Sequence, residues 1–98
     1  MSFPHYGPCE RLAEMPDDLV RFLALVGNEV MRARKKFPKP HGLMTALTEE
    51  VGEVAKALLD EPWSRVEEEA VQAAAMCARL ALETDPTLAP LRTKRGVK

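Results

Sequence analysis

Between Glu49 and Arg79 the chain reads EEVGEVAKALLDEPWSRVEEEAVQAAAMCAR. Two amphipathic stretches meet there, with only Asp60-Glu61-Pro62-Trp63 between them. Apolar residues at spacings of three and four mark one face of an α-helix. So short a break leaves the second helix only one course, back along the first. The earlier helix is expected over about Leu43 to Leu59, with a stripe of Leu43, Leu47, Val51, Val54 and Leu58. The later one presents Val66, Ala70, Ala73, Met76, Cys77 and Leu80 and stops around Thr84. Ser64 followed by Glu67 reads as a capping box at its start. Its small residues Ala70, Ala73, Ala74, Ala75 and Ala78 allow another helix to approach closely. Gly52 lowers the propensity of the earlier helix, which points to close packing or to room for a ligand.

Acidic residues fall on the apolar seam of this hairpin. Glu50 and Glu53 share a face, as do Glu69 and Gln72, and folding the hairpin about residue 61 brings the two pairs level. Glu69 is in line with Ala73, Met76 and Leu80, so its carboxylate is expected to be buried and in need of a partner. Converging carboxylates with no basic residue among them repel one another unless a cation neutralises them, and an all-oxygen set suits a hard divalent ion. The competing expectation is a solvated acidic face on an ordinary helical hairpin.

The pattern Glu50-x-x-Glu53, fifteen intervening residues, then Glu69-x-x-Gln72 resembles the MazG-type all-α nucleoside triphosphate pyrophosphohydrolases. Their signature is ExxE followed on the next helix by ExxD, and Glu49 matches the extra acidic residue often found before the first pair. Gln72 stands where the family has Asp, so the charge of one carboxylate is absent. The resemblance spans about residues 17 to 85. It implies hydrolysis of an NTP or dNTP between the α and β phosphates, giving a monophosphate and pyrophosphate. It also implies a homodimer or homotetramer with its site near a subunit boundary. Glu50, Glu53 and Glu69 would hold Mg2+ (or Mn2+), with Gln72 a weak ligand or a hydrogen-bonding group beside it, and Glu49 the base or a supporting carboxylate. A catalytically weak nucleotide-binding or assembly module of the same fold is the alternative.

Ninety-eight residues allow one domain, which gains from self-association because so short a chain buries a modest share of its surface alone. The expected fold is all-α: the hairpin plus a long N-terminal helix, of four-helix-bundle type once oligomerised. That first helix begins near Pro16, with Asp17 and Asp18 favourably placed against its dipole. It carries Leu19, Phe22, Leu23, Val26, Val30, Ala33 and Phe37 on one face and ends at Pro38. Arg32, Arg34, Lys35 and Lys36 near its end suit a helix C-terminus. Arg32, Lys35 and Lys36 are also candidates to hold substrate phosphate. Lys39 and His41 read as plain loop residues and Trp63 as packing.

Residues 1–15, with Pro4, Gly7 and Pro8, are expected to be a loosely ordered, irregular arm, with His5 and Tyr6 as ligand contacts across a subunit interface the alternative. Residues 16–90 form the domain. Asp85-Pro86 is expected to open a short extra turn that Pro90 ends, and residues 91–98 are expected to be a basic, disordered tail. A net charge of −1 with 30% charged residues gives no reason to expect nucleic acid or a membrane surface as partner. Nor does any apolar run reach spanning length. Cys9 and Cys77 make neither a disulfide framework nor a zinc spacing, which fits a reducing, cytoplasmic setting.

Overall fold

The computed structural model describes residues 12–97, so His5, Tyr6 and Cys9 lie outside the described residues. The fold is all-α. A 3-10 turn at Leu12–Glu14 precedes three long helices, α1 (Asp17–Lys36), α2 (Leu43–Asp60) and α3 (Trp63–Glu83). A second 3-10 turn at Pro86–Leu88 leads into a short α4 (Ala89–Lys94). Pro90 stands in the first turn of α4 instead of ending a helix. There its missing amide hydrogen costs nothing. No described helix is long and apolar enough to cross a membrane.

α3 is the hub. It packs against both α1 and α2, while among the described residues α1 and α2 do not pack on each other. The core follows that plan: Val30 and Ala33 of α1, Leu43 and Ala57 of α2, and Val66, Val71 and Ala75 of α3 are buried. Ala57 and Ala75 are fully enclosed, as expected where helix backbones approach closely. Much apolar surface stays uncovered. Val51 and Leu58, two of the five residues of the expected α2 stripe, are exposed, as are Leu82 and Cys77 on α3.

Local signals explain each boundary. α1 opens with Asp17 and Asp18 and closes with Arg34, Lys35 and Lys36, both favourable against the helix dipole. Phe37 is the residue before a proline and leaves the helical region, at φ −129°. Gly42 precedes α2 at φ 76°, a conformation that glycine adopts without strain.

Two expectations at the start of α3 are corrected. Pro62, not Ser64, is the capping residue, and no side chain caps the helix. Glu67 instead receives Arg21 of α1 in a two-pronged ion pair at 2.9 and 3.1 Å. Trp63 is not packing either; it is 75% exposed, next to Leu59 at 86%.

The C-terminal end of α3 is tied back to the start of α2. Thr84 adopts φ 63°, ψ −170°, a region that costs a β-branched residue strain, and this turn aims the next side chain inward. Asp85 Oδ1 accepts hydrogen bonds from the Gly42 amide (3.2 Å) and the Thr87 amide (3.0 Å), and Oδ2 from the Met44 amide (3.1 Å). One carboxylate therefore caps both its own 3-10 turn and the first turn of α2. The Thr87 hydroxyl, first, and these amides hold its acidity at about 2.

Candidate active-site cleft

With α1 and α2 both resting on α3 and not on each other, a furrow runs between them with α3 as its floor. Glu50 projects into it from α2 and Glu69 from α3. Glu69 is only 8% exposed, as its place in the apolar stripe predicts. The two carboxyls are within hydrogen-bonding reach of each other, and Glu50 Oε2 is buried without a donor. Two carboxylates can bond to each other only if one keeps a proton. Burial first, then the hydrogen bond with Glu69, then the charges of Glu69, Glu53 and Glu49 push the Glu50 carboxyl up to about 7.

The other expected members of the layer go elsewhere. Glu53 is exposed, near enough for its charge to act on Glu50. Gln72 faces α1, where it helps to lower the pKa of the Glu29 carboxylate. That group is held below the usual carboxylate range first by Arg32, which grips it through Nε at 2.9 Å and a terminal nitrogen at 2.5 Å. Glu69 Oε1 accepts a hydrogen bond from Arg65 at 2.7 Å. Among the described residues no three His, Cys, Asp or Glu side chains are gathered as a ready metal cage. A hard divalent ion such as magnesium still fits the donor chemistry at one point. Glu50 and Glu69 offer convergent oxygens, and the orphaned Glu50 Oε2 is the partner such an ion would take.

Two clefts meet at this point. The first, about 570 Å³, has Arg21, Arg32 and Arg65 on its walls with Glu29, Glu50, Glu69 and Gln72 below. The second, about 430 Å³, shares Glu29, Arg32, Glu50 and Gln72 and adds Phe37, Met76, Lys39, His41 and Glu49. Lys39 and His41 are thus wall residues of a cleft as well as members of a loop. Of the expected phosphate contacts, Arg32 lines both clefts. Lys35 and Lys36 line neither, and Lys36 instead lies over the Phe37 ring, 5.4 Å from its centre.

Below the second cleft sits Arg79, 1% exposed. It donates to Glu83 at 2.8 to 3.2 Å and to the Phe37 carbonyl at 2.9 Å, and Arg34 adds a further bond to Glu83. Arg79, and then Arg34, hold Glu83 at about 2. This network pins the end of α1 and its exit loop to α3, and so fixes the wall that carries Phe37 and Lys39.

Glu29, Arg21 and Arg65 are the cleft residues that the sequence pattern did not single out. Glu29 was within reach of the rule that found Glu69, since it continues the line Phe22, Val26, Ala33 at helical spacing. Arg21 and Arg65 carry no such signal, because a basic residue on a helix flank reads as solvated. Compared with known proteins, the chain matches no family model, no curated protein and no solved structure, so the chemistry of this cleft carries the functional reading.

Proposed function

We propose that the protein is a magnesium-dependent nucleoside triphosphate pyrophosphohydrolase, acting on an NTP or dNTP as a homodimer or homotetramer, with manganese able to replace magnesium. One observation carries the reading: two carboxyls converge at the floor of a cleft whose walls bear three arginines. That pairing of an acidic floor with basic walls suits a polyphosphate and its cation better than either half would alone. Glu50 and Glu69 would hold the ion, with Glu53 adding charge from the edge and Gln72 orienting Glu29. When bound, magnesium supplies charge neutralisation and a more acidic water.

The remaining steps belong to the chain. Arg21, Arg32 and Arg65, which share the first cleft with five glutamates, bind the phosphates there, which fixes the α-phosphorus near the carboxyl pair. A water attacks that phosphorus and gives its proton to a carboxylate oxygen of Glu49, which lines the second cleft beside Glu50. The bond from the α-phosphorus to the bridging oxygen breaks, and its electron pair leaves with pyrophosphate. The uncovered apolar residues Val51, Leu58, Leu59, Trp63 and Leu82 support the oligomer, since a second copy would remove them from water.

A second reading is favoured by one fact. Gln72 faces Glu29, and among the described residues no third carboxylate is gathered with Glu50 and Glu69. On that reading the protein is a catalytically weak nucleotide-binding or assembly module. Pyrophosphate release, followed across the common NTPs and dNTPs with and without magnesium, decides between the two. Magnesium-dependent release abolished in Glu50→Gln supports the enzyme, and nucleotide binding without release supports the module.

A further inference from the structure

Arg65 is the side chain that occupies Glu69 in this site. Its guanidinium is shared among three glutamates. It bonds Glu69 Oε1 at 2.7 Å, pairs closely with Glu68, and lies 3.7 Å from Glu61 Oε2 through Nε. Two buried side-chain oxygens among the described residues have no hydrogen-bond partner, Glu50 Oε2 and Glu61 Oε2. Glu50 Oε2 belongs to the carboxyl that meets Glu69. Glu61 Oε2 faces Arg65 at a distance too long for a hydrogen bond.

We propose that Arg65 is a latch that holds Glu69 while no divalent cation is bound and passes to Glu61 when such a cation binds Glu69. The inference rests on the cation-binding reading above. The charge count supports it. Without a cation, Glu69 at 8% exposure is a buried charge that must be paired, and Arg65 provides the pairing. With a cation on Glu50 and Glu69, a guanidinium beside it would be repelled. Arg65 can leave cheaply because nearly half of its side chain is already in water. Glu61 is its nearest unsatisfied acceptor, needing a movement of less than about 1 Å to reach hydrogen-bond distance. Lys56, 3.4 Å from the other oxygen of Glu61, leaves Oε2 open. A latch of this kind makes cation affinity lower than the carboxylates alone would give, so that the site stays closed at low magnesium.

The test is Mn2+ titration of the full chain without nucleotide, by calorimetry and by the loss of the free-ion electron spin resonance signal. Arg65→Met keeps length and removes the guanidinium, and should bind Mn2+ roughly three- to tenfold more tightly. Glu61→Gln should weaken Mn2+ binding in the parent, because the displaced Arg65 loses its receiver, and should have little effect in the Arg65→Met background. That coupling separates a latch from a simple change of local charge, which would make the two substitutions additive. Unchanged affinity in Arg65→Met, or an equal effect of Glu61→Gln in both backgrounds, overturns the latch and leaves the cation site standing. If neither the parent nor Arg65→Met binds Mn2+ at millimolar concentration, the latch falls together with the cation site on which it rests.

Discussion

Replacing Glu50 by Gln should make the protein more stable, by an amount that grows as the pH rises from about 4.5 to about 7 and is then constant. Glu50 is held at about 7 in the folded state against an ordinary 4.5. Between those values the folded chain binds more protons than the unfolded one, so stability falls as pH rises through this window. Ionising Glu50 in place would cost the fold at most about 3 kcal/mol. The side chain is part-exposed in an open cleft, and solvent screening trims this to about 1–2 kcal/mol. Glutamine has the same shape and no charge to lose, so Glu50→Gln removes the penalty. In a domain of this size the gain corresponds to a Tm higher by about 5–10 °C at pH 8, a gap that closes as the pH approaches 4. Glu83 and Asp85, both held at about 2, act in the opposite sense: the stability they lend is present above their ordinary values and is lost as the pH falls toward 2. The parent should therefore be most stable near pH 5. Thermal melts of both proteins at half-unit intervals from pH 4 to 8 test the reasoning. A Glu50→Gln protein that is no more stable at pH 8, or whose gain does not vary with pH, would refute it.

Magnesium or manganese should raise the Tm of the parent by binding the folded state alone. Glu69→Gln should abolish that rise, whereas Glu53→Gln, on an exposed carboxylate, should only reduce it; an intact rise in Glu69→Gln would remove the cation from the carboxyl pair. Arg79→Met should cost about 2–3 kcal/mol in urea denaturation, less than for a wholly isolated buried pair because Arg34 still serves Glu83; a loss below 0.5 kcal/mol would show the network to be ornamental. Light scattering at micromolar concentration should find a dimer or larger species. Leu59→Glu combined with Trp63→Glu should shift it toward monomer, and an unchanged mass would move the interface off that end of the hairpin.

The three long helices were readable because each repeats apolar residues at spacings of three and four, and each boundary carries a proline or glycine with a single steric meaning. Burial of Glu69 was readable for the same reason, since periodicity places any residue type on a face. What the pattern could not give is where a long side chain ends. Arg65 and Arg79 are both on α3, yet one leans out among glutamates and the other lies under the exit loop of α1. That difference is set by Glu83 and the Phe37 carbonyl, partners brought close by folding. Ser64 and Glu67 fit a local capping rule, but Pro62 had already set the entry and Arg21, forty-six residues away, offered Glu67 a full charge. Asp85 was legible as the cap of its own turn and not as the cap of α2, which depends on how two distant segments meet.

Because Asp85 ties the last residues of the hairpin to its first amides, α2 and α3 form a closed ring in which neither end is free to peel. Among the described residues α1 is held near its start only by the exposed Arg21–Glu67 pair, packs on α3 alone, and reaches α2 through the short segment 37–42. Amide hydrogen exchange should therefore divide the molecule into two cooperative units, with α1 releasing its protons first and the ring holding its own until global unfolding. The cleft lies on the boundary between those units. A substrate can be admitted by a partial departure of α1 that leaves Glu50 and Glu69 facing each other, so that the walls of the site breathe while its floor stays still.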